Sequence, residues 1–188
     1  MGESARRRRH DRNDFVLRRI ESLMQPASAW ELRTVVEIEA LPSVVAERQH
    51  QRMPDNECHG NAVFLETQYP HQFKRVTGWM LDDFEIAYML HSVVLIDGRY
   101  TCVTPMSGVM RPWGETFLFK PDPKIELVDH PFHVTLLRDG EEIGERSCIR
   151  RDPTAVIAMM TAARDMILAG TETNEAIRIA VAGRPTDG

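Results

Sequence analysis

Cysteine is scarce in this chain. Its three cysteines, Cys58, Cys102 and Cys148, stand far apart in 188 residues. An odd count at wide spacings excludes the disulfide framework of a small secreted domain and points to a reducing compartment. Long apolar runs are also missing. The longest uncharged stretches fall well short of the ~20 residues that a membrane-spanning helix needs. The opening arginines lead into Asp11-Arg12-Asn13-Asp14 rather than the apolar core of a secretory signal. Arg6 stands where a myristoylation signal at Gly2 would need Ser or Thr. These absences predict a cytoplasmic protein that makes no membrane contact.

A basic excess is lacking as well: 23 Lys and Arg face 28 Asp and Glu, for a net charge of -5. Nucleic acid is therefore not an expected partner, apart from contact by the run Arg6-Arg7-Arg8-Arg9. That run is read as part of a disordered basic tail over residues 1–12. No phosphate-binding glycine loop, Gly-x-Ser-x-Gly elbow or dinucleotide fingerprint occurs, and no cofactor is expected.

What is present is the balance of a globular domain, with 43% apolar and 27% charged residues. The length suffices for one core without disulfide or metal staples, and one α+β domain is predicted over 13–188. Phe15, Val16, Ile20 and Leu23 share a face at helical spacing, predicting a helix over 13–24. Ser28, three residues before Glu31, forms a capping-box pattern that opens a second helix through Leu41, stopped by Pro42. A polar loop then runs to Asn56. Residues 58–68 have helical periodicity with Cys58, Ala62 and Leu65 on one side, and Tyr69-Pro70 closes that helix.

Strands are predicted at 74–81, 90–96, 99–104 and 115–119. Asp97-Gly98 joins the middle pair as a tight hairpin. Residues 132–137 and 142–149 form a second hairpin around Asp139-Gly140. Asp152-Pro153 starts a helix whose apolar side is Val156, Met159, Met160, Ala163 and Ile167, with Gly170 as its stop. A short helix follows over 174–182. The predicted core spans about 54–150, with flanking helical extensions at 13–53 and 153–183.

The hairpin at Asp97-Gly98 sets Ile96 against Arg99, Val93 against Cys102 and His91 against Thr104. Alternation then puts His91, Val93, Cys102 and Thr104 on one face. Cys58 begins the helix that precedes this sheet, where partial positive charge and free N–H groups favour a thiolate. An imidazole nearby would lower the thiol pKa further and shuttle a proton in acyl transfer. The Cys58 N–H and the Asn56 side chain are candidates for an oxyanion hole. Cys58 as nucleophile and His91 as base make the layout of a papain-like cysteine enzyme.

Several segments also resemble a bacterial family that is itself uncharacterised. They are Cys58-His59-Gly60-Asn61-Ala62, Gly78-Trp79-Met80, His91-Ser92-Val93-Val94, Thr104-Pro105 and Phe117-Leu118-Phe119-Lys120-Pro121-Asp122-Pro123. The family carries Cys-His-x-Asn, Gly-Trp, His-Ala-Val-Trp, Asp-Ile-Thr-Pro and Phe-Leu-Pro-Asp-Pro motifs in the same order, over about residues 57–124 here. The resemblance implies a papain-like fold, with a central helix carrying Cys58 packed on an antiparallel sheet. It also implies a Cys-His-Asp constellation that hydrolyses or transfers at an amide or thioester of a protein or peptide-like substrate. This chain departs at one place: Cys102 replaces the acid of Asp-Ile-Thr-Pro. Loss of an orienting acid costs on the order of 10⁴ in rate in a serine-protease triad, so reduced activity is expected unless Thr104, Asp97 or Glu85 substitutes. A reversible Cys58–Cys102 disulfide is an alternative use of the pair.

Bland roles stand beside these. Cys58 and Cys102 also suit inert packing, His91 a core histidine, Asn61 a helix-packing residue, and Trp79 the core rather than a substrate wall. The rival function is a non-catalytic papain-like binding module. A second rival is zinc binding by Cys58, His59, His91 and Cys102, or by Asp129, His130 and His133. Neither set has paired-ligand spacing, and no metal site is predicted.

Overall fold

The computed structural model describes residues 16–49, 52–82, 84–105, 115–130, 133–144 and 148–183. The tail 1–12 with its arginine run, the first residues of the predicted helix at 13–24, and Phe132 lie outside the described residues. The chain divides into two compact units. One is Leu32–Ile149; the other joins Met1–Glu31 to Arg150–Gly188. The helices are α1 (residues 16–23), α2 (Ala29–Ala40), α3 (Cys58–Gln68), α4 (Pro153–Leu168) and α5 (Thr173–Ala182). The strands of the barrel region are β1 (Val44–Arg48), β2 (Lys74–Leu81), β3 (Ala87–Ile96), β4 (Arg99–Cys102) and β5 (Thr116–Pro121). A second group comprises β6 (Ile125–Asp129), β7 (Val134–Arg138) and β8 (Glu141–Glu142), and β9 (Cys148–Arg150) follows.

In the larger unit, β1 pairs antiparallel with β5 and parallel with β4. β4 pairs with β3, β3 with β2, and β2 with β5, all antiparallel. The five strands thus return on themselves as a closed mixed barrel, and closure removes the exposed edges that an open sheet would leave. β2 occupies one edge of β3 from Tyr88 to Leu95, so β4 and β9 share the other edge. Ala46, Met80, Val93, Cys102, Phe117 and Phe119 fill the interior, the inward half of each strand's alternation. Gly78 sits where β2 meets both β3 and β5. A Cβ there would lie 2.2 Å from the Lys120 carbonyl oxygen, a separation only glycine avoids.

The α+β class and both Asp-Gly turns are as predicted. The second hairpin, however, returns only over Glu141–Glu142 instead of 142–149. Residues 145–147 lie outside the described residues, and Cys148–Arg150 joins β3 instead. Asp97 and Gly98 have φ of 49° and 79°, and Asp139 and Gly140 have 53° and 81°, the doubly positive pattern of a type I′ turn. The papain-like arrangement is overturned. In place of a central helix on an antiparallel sheet there is a closed five-stranded barrel of mixed direction, with α3 packed against β2 and β3. The cause is β1, which falls in the stretch read as helix end and polar loop. By entering between β4 and β5 it turns the predicted hairpins into a closed wall. α3 adds Ala62 and Leu65 to the outward face of that wall, over Val94 and Val103.

A buried polar network braces the same unit. Asp122 accepts from the Trp79 indole N–H at 2.8 Å, from Arg138 Nε at 2.8 Å and from the Lys124 backbone N–H at 3.0 Å. Arg138 also donates to Glu37 at 2.7 Å, so a guanidinium only 3% exposed has carboxylates on two sides. Lys120 donates to the Glu39 and Leu41 carbonyls at the end of α2, the polarity that a helix C-terminus favours.

In the smaller unit the Ser28 half of the capping pattern forms, with the Glu31 N–H donating to Ser28 Oγ at 3.0 Å, while the Glu31 carboxylate turns to Arg150. Arg150 then holds Glu31 through Nε and Nη2, and its Nη1 reaches the carbonyls of Leu23 and Gln25 at 2.7 Å each. Asp152 caps α4 by accepting from the Ala155 N–H, with Pro153 in the first turn. The predicted apolar side of α4 is buried in full. Among the described residues no helix is long and apolar enough to cross a membrane.

Candidate functional site

The first turn of α3 is pinned from two directions. His59 Nδ1 lies 2.8 Å from Ser92 Oγ on β3, and Ser92 Oγ in turn lies 2.8 Å from Thr77 Oγ1 on β2. Asn61 Nδ2 donates to Pro54 O at 2.9 Å and to Thr104 Oγ1 at 3.0 Å, which engages both of its amide hydrogens. The Asn56 backbone N–H donates to the Pro105 carbonyl at 3.1 Å. These bonds hold the helix tip between β3 and the segment that follows β4.

Cys58 occupies the position thus defined. The backbone N–H groups of Ser92, His59 and Cys58 itself favour its ionised form. The residue is half-buried, yet its thiol is desolvated. Burial, aided by repulsion from the neighbouring Cys102, outweighs the three N–H groups and pushes the Cys58 pKa up to about 11.

His91 is next to Ser92 in β3 but faces the barrel interior. Its Nε2 lies 3.2 Å from Cys102 Sγ, and its ring meets Phe117 edge-on with centroids 5.6 Å apart. Cys102 Sγ donates weakly to the Thr104 carbonyl at 3.8 Å. Burial, together with the charges of His59 and Arg48, brings the His91 pKa down to about 3. Burial raises the Cys102 thiol as well.

Contacts run from His91 to Cys102, from Cys102 to the Thr104 carbonyl and from Asn61 to Thr104 Oγ1, with Cys58 at the start of the helix that carries Asn61. Asn61 and Thr104 fasten the helix tip to the strand end. Asn56 lies on an exposed turn at φ 60°. Trp79 is fully buried on Asp122, away from the thiols along the outward side of β2. The sequence reading missed three contributors. His59 and Ser92 were written within its motifs but given no bonding role. Arg48 was missed with β1: it is the Cα partner of Cys102, and its guanidinium lies 4.4 Å from the centroid of the Phe117 ring. The alternation of β1 is the one signal that could have revealed it.

His130 and His133 stack at 4.4 Å across the end of the β6–β7 hairpin. Among the described residues no three His, Cys, Asp or Glu side chains are grouped to hold a metal ion. The site thus sets the His91–Cys102 pair of the barrel beside a helix tip that begins with Cys58 and is held by His59 and Asn61. Compared with known proteins, the chain matches no family model, no curated protein and no solved structure.

Proposed function

We propose that Cys58 is the nucleophile and His91 the proton acceptor of an acyl-transfer site. It acts as a hydrolase or acyl transferase on an amide or thioester of a protein or peptide-like substrate, and its resting state is neutral and attenuated. One observation carries this reading: His91 Nε2 lies 3.2 Å from Cys102 Sγ, and the next residue in β3, Ser92, holds His59 beside Cys58 at the helix tip. The third position of a nucleophile–base–orienter series is thus filled, by a thiol in place of an acid.

In the reaction, Cys58 sulfur bonds to the substrate carbonyl carbon as its proton passes to His91 Nδ1. Collapse of the tetrahedral intermediate expels the amine or thiol, which takes that proton. Water or an acceptor then attacks the thioester by the same route. The N–H groups of the α3 tip would turn from sulfur to the developing oxyanion.

A second reading, a non-catalytic binding module, is favoured by the charge state. A thiol near 11 and an imidazole near 3 are separated by about eight pKa units, or ~11 kcal/mol against the ion pair. An active ester separates the two readings. With p-nitrophenyl acetate at neutral pH, the enzyme reading expects Cys58 to be acetylated faster than Cys148, with the rate falling about 10²-fold in His91→Ala. Equal, slow acetylation of the two cysteines, indifferent to His91, leaves the binding module.

A further inference from the structure

His130 and His133 face each other across the end of the β6–β7 hairpin. The ladder pairs Asp129 with Val134, and one step further the His130 backbone N–H donates to the His133 carbonyl at 2.9 Å. Only two residues of chain separate the histidines, so the reversal of direction sets them directly opposite each other. Opposed residues of an antiparallel pair share one face, with Cβ atoms ~4.5–5.5 Å apart. Both residues are exposed, and their rings stand side by side, with centroids 4.4 Å apart and planes within 16° of parallel. The spacing alone conceals this. On a single extended strand, positions 130 and 133 would point to opposite faces.

Two imidazoles held in this way make a bidentate nitrogen donor. Nitrogens bound to one ion at ~2.0–2.1 Å stand about 3 Å apart. Parallel rings at the observed separation reach that value when their nitrogen edges tilt together, and the broad χ2 well of histidine permits the tilt at little cost. Alternation turns Asp129 to the other face of the hairpin, so its carboxylate does not make this an oxygen site. Nitrogen donors without oxygen suit nickel, copper and zinc, whereas magnesium and calcium call for oxygen ligands. We infer that His130 and His133 bind one divalent ion of the nickel–copper–zinc type, as two adjacent ligands of a sphere completed by water. The ion adds a link between the end of β6 and the start of β7 beside the backbone hydrogen bond. This site uses none of the groups assigned to acyl transfer, so neither proposal depends on the other.

Nickel(II) is the probe, because unlike copper(II) it leaves the cysteines reduced. The full chain is titrated with nickel chloride in a calorimeter, with magnesium present in excess. One binding event is expected that His130→Asn and His133→Asn each weaken by at least about tenfold, because the second imidazole engages the ion intramolecularly. The double variant should bind little more weakly than either single variant, since either change already breaks the chelate. His71→Asn removes another exposed imidazole and should leave the event unchanged. Absence of the event, its survival in either single variant, additive losses in the double variant, or an equal loss in His71→Asn overturns the inference.

Discussion

Restoring an acid beside His91 is the most direct way to probe why the site rests neutral. Cys102→Asp would set a carboxylate where a thiol now lies 3.2 Å from Nε2. An anion within about 4–6 Å typically raises the pKa of its charged partner by ~1–3 units, and hydrogen bonding to Nε2–H also fixes the tautomer that leaves Nδ1 basic. The present separation is set by a thiol near 11 and an imidazole near 3. Narrowing it by ~1–3 units multiplies the ion-pair population by about 10- to 10³-fold. Arg48 favours the change, because it is the Cα partner of position 102 and its charge already acts on both His91 and Cys102.

In a Cys148→Ser background the variant retains Cys58 as its single thiol, so iodoacetamide uptake reports that group alone. Against Cys102→Asn in the same background, the Asp variant is expected to alkylate at least about tenfold faster at neutral pH, by the same estimate. Matching rates in two variants that both melt cooperatively would refute the idea that the missing acid keeps the site quiet.

Two further outcomes concern stability. Asp122→Ala leaves the buried Arg138 with only the more exposed carboxylates of Glu37 and Asp139 and takes the acceptor from the Trp79 indole. A loss of about 3–5 kcal/mol is expected in urea unfolding, and a loss below about 1 kcal/mol would mean that the network is dispensable. The second outcome is acid lability from His91, whose pKa is brought from 6.5 to about 3 by burial. Between those values the unfolded chain binds a proton that the folded chain refuses. The contribution is therefore complete above pH ~6.5 and declines by ~1.4 kcal/mol per pH unit as acid is added, on the order of 4–5 kcal/mol in all. His91→Gln should lack that component, and parallel urea midpoints against pH in the two proteins would disprove it.

The parts of the fold legible in the sequence were those with a local cause. Both Asp-Gly turns demand positive φ at two successive residues, so the turns, and the register of the first hairpin, could be read directly. The capping residues Ser28 and Asp152 likewise announced α2 and α4. β1 has no such mark. It spans five residues after Pro42, and its parallel partner β4 lies far along the chain with no turn between them. Missing that strand turned a closed barrel into an apparent open sheet, and the papain-like reading followed. Asp122 was similarly opaque: in Pro121-Asp122-Pro123 it looks like a strand stop, whereas its carboxylate gathers Trp79, Arg138 and Lys124 from three separate segments.

The meeting of His91 with Cys102 was legible for the same local reason, since the hairpin register brings both to one face. The charge state of the pair was not. Composition and spacing say which groups meet, while a pKa depends on how much water remains around them. Closure of the barrel by β1 decides that here. β1 brings Arg48 alongside Cys102, completes the wall around Phe117, and leaves His91 only 3% exposed. One event thus has two opposed effects. It steadies the imidazole against its orienting thiol, and it withdraws the solvation that an imidazolium or thiolate needs. A site assembled this way reacts only where a substrate, or an added acid, supplies the stabilisation that water would otherwise provide.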